Sequence, residues 1–188
     1  MLKDLICKSR SIRRFYQDTP VEMEMLRDLV DLARLSPCGS NLQSLKFFLS
    51  NQPELNAKIF EHVAWAGYLK DWPGPVEGER PAAYIIILGD SALSKSFGCD
   101  HGIAAQSIML GAAEKGLGGV IMGSIRRVEL AALLHLPPQF EILLTLALGK
   151  PKEQVVIEPL GPDGSVKYWR DAQQVHHVPK RALEDIII

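Results

Sequence analysis

Strong charge of either sign is missing from this 188-residue chain. Twenty-one Lys and Arg stand against 22 Asp and Glu, for a formal net charge of -1. That balance leaves no basic field for a nucleic-acid backbone and no positive surplus for an anionic membrane surface. Any anion the protein binds has to be met by a local cluster. Cysteine is scarce too. Cys7, Cys38 and Cys99 are odd in number and widely spaced, which excludes a disulfide framework and a close CxxC zinc or redox motif, and reads as reduced thiols in a cytoplasm. Long apolar runs are absent: the longest, Ala82 to Gly89 and Ile142 to Gly149, fall far short of the ~20 residues of a membrane-spanning helix. The opening residues carry Asp4 and lack the unbroken apolar core of a signal peptide, so neither export nor a membrane span is expected. Internal repeats and low-complexity segments are missing as well.

What is present is an ordinary globular mixture, 47% hydrophobic and 23% charged, long enough for one domain over 1–188 with a sizeable core. Leu2, Leu5 and Ile6 predict a short amphipathic helix ending near the basic stretch Lys8 to Arg14. Thr19-Pro20-Val21-Glu22 has the form of a capping box with proline at the first helical position, so a second helix is expected to start there. Leu26, Leu29, Val30 and Ala33 form its apolar face, and Pro37 forces Ser36 out of it. A polar loop follows from Pro37 to Ser44. Lys46–Ser50 reads as a strand and Pro53–Val63 as a helix, and the segment from Trp65 to Arg80 reads as a mobile or functional loop.

The β-branched run Ala82–Leu88, bounded by Pro81 and Gly89, predicts a strand buried on both faces, hence a central sheet flanked by helices on both sides. Asp100–Lys115 reads as a deep helix rich in alanine. Gly116, Gly118 and Gly119 end it before a brief strand at Val120–Met122. Val128–Leu134 reads as a short helix and Phe140–Leu148 as a second central strand. From Pro151 the character changes: Val155–Ile157, a turn at Gly161–Gly164, a polar stretch to His177, then an apolar tip of three isoleucines that calls for burial.

Three clusters could carry chemistry. In Arg10-Ser11-Ile12-Arg13-Arg14 the arginines offer planar forks for phosphate or a carbonyl bearing negative charge, with Ser11 as a short donor and Ile12 pointing inward; a solvated basic turn is the ordinary alternative. Ser40, Asn41 and Gln43 of the Pro37–Gln43 loop could bond a polyhydroxylated ligand, or simply cap their own loop. Lys180 and Arg181 could complete an anion site or stay solvated.

Taken in order, with a glycine-rich helix exit between them, these segments resemble the nitroreductase family of FMN-dependent oxidoreductases over essentially the whole chain, especially its shorter bacterial members. Ser9-Arg10-Ser11-Ile12-Arg13-Arg14-Phe15 is similar to the family's opening Arg-Arg-Ser-hydrophobic-Arg-x-Phe motif. Ser36 to Leu45 is similar to its Ser-Pro-Ser-x-x-Asn-x-Gln-Pro-Trp loop, and Gly102 to Gly118 to its alanine-rich helix closing in Gly-Leu-Gly. The tail Tyr168-Trp169-Arg170-Asp171 through His177-Val178-Pro179-Lys180-Arg181 is the fourth match. Departures occur where Ser9 replaces the first arginine, Cys38 a serine, and Ser44-Leu45 the Pro-Trp pair; the last removes an aromatic from the site.

The resemblance implies a three-layer α/β/α fold of the α+β class around a mostly antiparallel mixed sheet. It implies a homodimer with FMN in its interface and a C-terminal arm, about 151–188, exchanged between subunits. Arg10 and Ser11, joined by Lys180 and Arg181, would then meet the ribityl phosphate, and Arg13 the pyrimidine edge of the flavin. Ser40, Asn41 and Gln43 would reach the FMN from the partner, Pro37 and Cys38 would also border the cofactor, and Met122-Gly123 would bring a backbone N–H near the flavin nitrogen that exchanges hydride. Tyr68, Lys70 and Trp72 fall where family members carry flavin-edge or lid residues. The activity implied is ping-pong transfer from NADH or NADPH through FMN to a nitroaromatic or quinone, with no side chain as nucleophile or general base. A flavin-holding protein without turnover, or a specialised reductive dehalogenase or flavin-fragmenting enzyme, is the alternative. His176-His177 is discounted as a metal pair because neighbours on an extended segment point to opposite sides, Asp100-His101 reads as a helix cap, and Cys38 as a space-filler.

Overall fold

Ala83–Asp90 lies at the centre of the protein with all eight residues buried, in a computed structural model that describes residues 1–188. The chain runs through α1 (Leu2–Lys8), β1 (Phe15–Tyr16), α2 (Met23–Leu35), β2 (Leu45–Ser50), α3 (Pro53–Phe60) and the central strand, β3. It continues with α4 (Asp100–Glu114), β4 (Gly118–Met122), α5 (Arg127–Leu133), β5 (Phe140–Pro151), β6 (Val155–Pro159), β7 (Trp169–Arg170) and β8 (His176–Lys180). β5 pairs with β3 on one side and with β4 and β1 on the other, and β2 lies outside β3; each of these ladders is antiparallel.

Alternation along the central strands divides the interior in two. Ala83, Ile85 and Ile87 face α2 and α4, joined by Leu146 and Leu148 of β5. Tyr84, Ile86 and Leu88 join Ile59 of α3 and Leu130 of α5 on the opposite face. Three layers result, as the doubly buried strand predicts. A bulge between Ile87 and Leu88 shifts the β3–β5 register. Arg127 caps the irregularity, its Nε donating to the Ile142 carbonyl at 2.9 Å.

The helices and strands fall close to where the sequence places them, with two differences. The second helix starts at Met23, and Glu22 precedes it in an extended conformation with no side-chain cap. Val21 is buried in the core cluster, and its carbonyl accepts from Asn51 Nδ2 at 3.1 Å, so the chain is still extended where the capping box would need helix. The third helix stops at Phe60, and Val63 instead bridges to Ile125.

The arm is more ordered than its polar composition suggests. β6, β8 and β7 form a separate three-stranded sheet in which β6 and β8 run parallel, Val155 opposite His176 and Pro159 opposite Lys180. No helix is long and apolar enough to cross a membrane.

Candidate functional site

The basic strap after α1 is laid across the sheet by main-chain bonds. Ile12 N–H donates to the Gly119 carbonyl at 2.8 Å, and Ser11 bridges Gly119 in parallel. Ile12 points inward and is buried. The approach requires glycine: a Cβ on Gly118 would lie 2.7 Å from Ile12, and one on Gly119 2.5 Å from the Ala147 carbonyl oxygen. Residues on either side of Ile12 consequently turn toward the outer edge of β4.

Two hollows meet there. One, of about 290 Å³, is bounded by Ser9, Arg10 and Ser11 of the strap, Gln106 and Met109 of α4, and Tyr168, His176, Val178 and Lys180 of the arm. The other, of about 200 Å³, is bounded by Ala64 to Gly67 and by Val120 to Ser124, including Met122 and Gly123. Arg13 and Ile121 line both. In β8 the two-residue period turns His176, Val178 and Lys180 to the hollow.

Arg13 is only 8% exposed. Its backbone N–H donates to the Glu153 carboxylate, and its Nη1 lies 3.2 Å from both the Ser11 carbonyl and His176 Nε2. The guanidinium sits over the Tyr168 ring, 4.8 Å from its centroid. Burial lowers its pKa from the ordinary arginine value, against the raising influence of Tyr168 and Glu153. Glu153, with no exposed side-chain surface, also accepts from Arg170 Nη2 at 2.9 Å, and Arg170 stacks on Trp72 at 4.3 Å. His176 is held down to about 4 by burial, then by the charges of Arg13, Arg170 and His177, so it is neutral at physiological pH.

Arg10 reaches back along α1, its Nε donating to the Ser9 carbonyl at 2.7 Å and Nη2 to Ile6 at 3.2 Å. The structure thus brings together Arg10, Ser11, Arg13 and Lys180, with Met122 and Gly123 in the adjoining hollow. Arg181 lines a different hollow, beside Ile157 and Glu158. Tyr68 packs at a tilt against Tyr168, 4.9 Å between centroids and 53° between planes, and its N–H donates to the Tyr168 hydroxyl at 3.3 Å. Lys70 is exposed, and Trp72 is engaged by Arg170 rather than by either hollow.

The loop expected to reach a ligand stands apart from these hollows. Pro37, Cys38 and Gln43 border a separate one of about 160 Å³. Ser40, Asn41 and Gln43 are exposed and hold φ values of 49°, 53° and 50°, a conformation that non-glycine residues adopt at a cost. Asp100 pins this loop by accepting from the Gly39 N–H at 2.9 Å, whereas the sequence reads it as a cap for its own helix. Four residues at Arg13 escaped the sequence reading as site residues: Glu153, Tyr168, Arg170 and His176. The alternation of His176, Val178 and Lys180 was the usable signal; nothing in the sequence marks Glu153.

Fold and site together define an α/β/α protein with a cation-lined cleft along a sheet edge. The nitroreductase family profile matches residues 6–150. An NADPH-flavin oxidoreductase of Vibrio harveyi is 33% identical over 190 aligned residues, covering 92% of this chain and 75% of that protein. Among solved structures, a nitroreductase family protein from Streptococcus pneumoniae TIGR4 aligns over 87% of this chain and 96% of its own, with TM-score 0.70 and 16% identity. An FMN-dependent nitroreductase from Clostridium difficile R20291 aligns over 80% and 87%, with TM-score 0.62 and 24% identity. The chain belongs to the nitroreductase family.

Proposed function

We propose that this protein is a cytoplasmic, FMN-dependent NAD(P)H oxidoreductase that reduces small electrophiles such as nitroaromatics or quinones by alternating donor and acceptor. The observation that carries the reading is the buried Arg13 shared by two contiguous hollows, with Arg10 and Lys180 at one and the Met122-Gly123 backbone at the other. The donor set suits FMN: Arg10, Ser11 and Lys180 offer two cations and a hydroxyl for a phosphate of roughly -2 charge. Gly123 leaves the second hollow open, since an added Cβ would meet nothing nearer than Leu144 at 4.0 Å. Bound FMN would supply a ring that accepts and donates hydride, the protein contributing orientation and electrostatics.

Arg13 would face the pyrimidine edge of bound FMN, where its positive charge would favour negative charge on the ring. Its buried position gives that charge more weight than an exposed cation would carry. The Tyr168 ring, 4.8 Å from the guanidinium, covers one of its faces. We assign the exposed Ser40, Asn41 and Gln43, with Pro37 and Cys38, to the flavin of a second subunit, and Arg181 with the apolar tip Ile186–Ile188 to the homodimer contact. Exposure of 63%, 66% and 125% along that tip supports the assignment. In this reading residues 1–188 are one domain with a C-terminal arm, and the unpaired Cys7, Cys38 and Cys99 fit a reducing compartment.

Purified protein mixed anaerobically with NADH or NADPH should lose the visible absorption of bound flavin and regain it on addition of a quinone. Flavin that stays oxidised with both donors would overturn turnover and leave a flavin-holding protein. Arg13→Ala should slow flavin reduction more than it weakens FMN binding, and Lys180→Ala should do the reverse; the opposite ranking rejects these roles.

A further inference from the structure

Arginine has five N–H donors and no acceptor. Nη1 of Arg13 lies 3.2 Å from the Ser11 carbonyl and 3.2 Å from His176 Nε2, so its two protons are both engaged. The second points at a nitrogen that has to offer a lone pair. A histidine with an unprotonated Nε2 is neutral when its one proton sits on Nδ1, and Nδ1 of His176 is buried with no partner in the chain. The depressed pKa of the ring agrees with this assignment, which the geometry already makes. Nε and Nη2 of Arg13 donate to no protein group, and Arg13 lines both hollows. The contact therefore occupies the inner nitrogen of the guanidinium and leaves the others available.

We propose that His176, through an unprotonated Nε2, is the positioning residue that turns Arg13 toward the flavin edge, and that the electron-accepting strength of the site depends on this acceptor. The proposal rests on the FMN reading above. It also explains why His176 and Lys180 share a strand face: docking of β8 delivers the residue that orients Arg13 in the same movement as a cation of the cleft. A solvent-facing histidine could not serve, because its nitrogens would exchange partners with water and lose a fixed tautomer.

Nitrogen-15 NMR of His176 tests the contact without flavin. The expected result is a neutral ring protonated at Nδ1, persisting well below the ordinary histidine value of about 6.5. A ring that titrates near that value, or carries its proton on Nε2, overturns the proposal. The flavin potential is then compared in His176→Gln, whose amide oxygen can replace Nε2 as acceptor, and His176→Leu, which offers none. The leucine variant should shift the oxidised-to-reduced equilibrium toward oxidised flavin about tenfold, ~30 mV for a two-electron couple, and the glutamine variant less than about threefold. Equal potentials in all three proteins, or equal shifts in both variants, overturn it too. If the protein takes up no FMN, the functional reading and the proposed role fall together, while the NMR result still decides whether the histidine contact exists.

Discussion

In the central sheet, β3 buries every one of its residues, whereas in the arm's three strands only His176 is buried. The sheet is held by apolar side chains on both faces. The arm is held by buried charge and by aromatic stacking: Glu153 between Arg170 and the Arg13 amide, and Trp169 on His177 at 4.1 Å with the planes 10° apart. His177 also lies 2.9 Å from a Glu158 oxygen and 3.3 Å from an Asp171 oxygen. Apolar burial is indifferent to pH and salt over ordinary ranges, and ion pairs are not. The same chain thus carries a core of fixed stability and a docked segment whose stability is local and titratable, and that segment completes the cleft.

The sharpest way to break this contrast is to unpair the buried charge. Glu153→Ala leaves Arg170 without its carboxylate and the Arg13 amide without its acceptor, a change expected to cost about 3–5 kcal/mol in arm docking. Hydrogen exchange should then show residues 169–180 losing protection while β3 and β5 keep theirs; uniform loss would mean that arm and sheet are one cooperative unit. Ile86→Ala makes the complementary test. Removing a fully buried side chain from β3 should cost about 2–5 kcal/mol, lowering the urea midpoint at probes in the sheet while the local undocking of the arm keeps its own midpoint.

A smaller effect follows from two titrations of opposite sign. Hydrogen bonding to Glu158, then to Asp171, raises the His177 pKa. A raised folded value means that its stabilisation is complete below the unfolded pKa and is lost as pH rises through the folded one. Proteolytic sensitivity of the arm should increase from mildly acidic to alkaline pH, and the trend should vanish in His177→Ala. Glu79, bonded by Arg14 and also paired with Lys152, is lowered from 4.5 to about 2. Its contribution is present above the unfolded value and disappears as pH falls toward 2, so acid should loosen the strap end of β1 while the His177 contacts remain charged on the histidine. Salt that abolishes neither trend would argue against ion pairing as the cause.

These differences also explain what the sequence made legible. A β-branched run between Pro81 and Gly89 has few solutions other than a doubly buried strand, and the alanine-rich Asp100–Glu114 helix must lie deep because its small side chains cover most of its circumference. Strap residues were readable because Arg10, Ser11 and Arg13 sit in an ordered motif. The arm was less readable. Its β6–β8 ladder joins residues some twenty positions apart with no apolar alternation to announce it, and Glu153 acquires its role only when β5 ends and the chain turns back over Arg13. In the sequence His176 is only one of two adjacent histidines; its contact with an arginine 163 positions earlier is a property of packing.

Thr19 gives the finest test, because there sequence and structure assign different jobs to one hydroxyl. Were Thr19 the cap of α2, its replacement by alanine would cost about 0.5–2 kcal/mol. In the structure its N–H closes a turn to the Tyr16 carbonyl at 3.0 Å, and α2 begins four residues later. The hydroxyl has no capping role, so Thr19→Ala should change unfolding free energy by less than about 0.5 kcal/mol. A loss near 1 kcal/mol would place the helix start at Pro20 and require Val21 to leave the core and Asn51 to lose its carbonyl partner. Burial of Val21, worth about 1.5–3 kcal/mol for a fully buried valine, outweighs the cap, and that is why the local signal yields to the tertiary one.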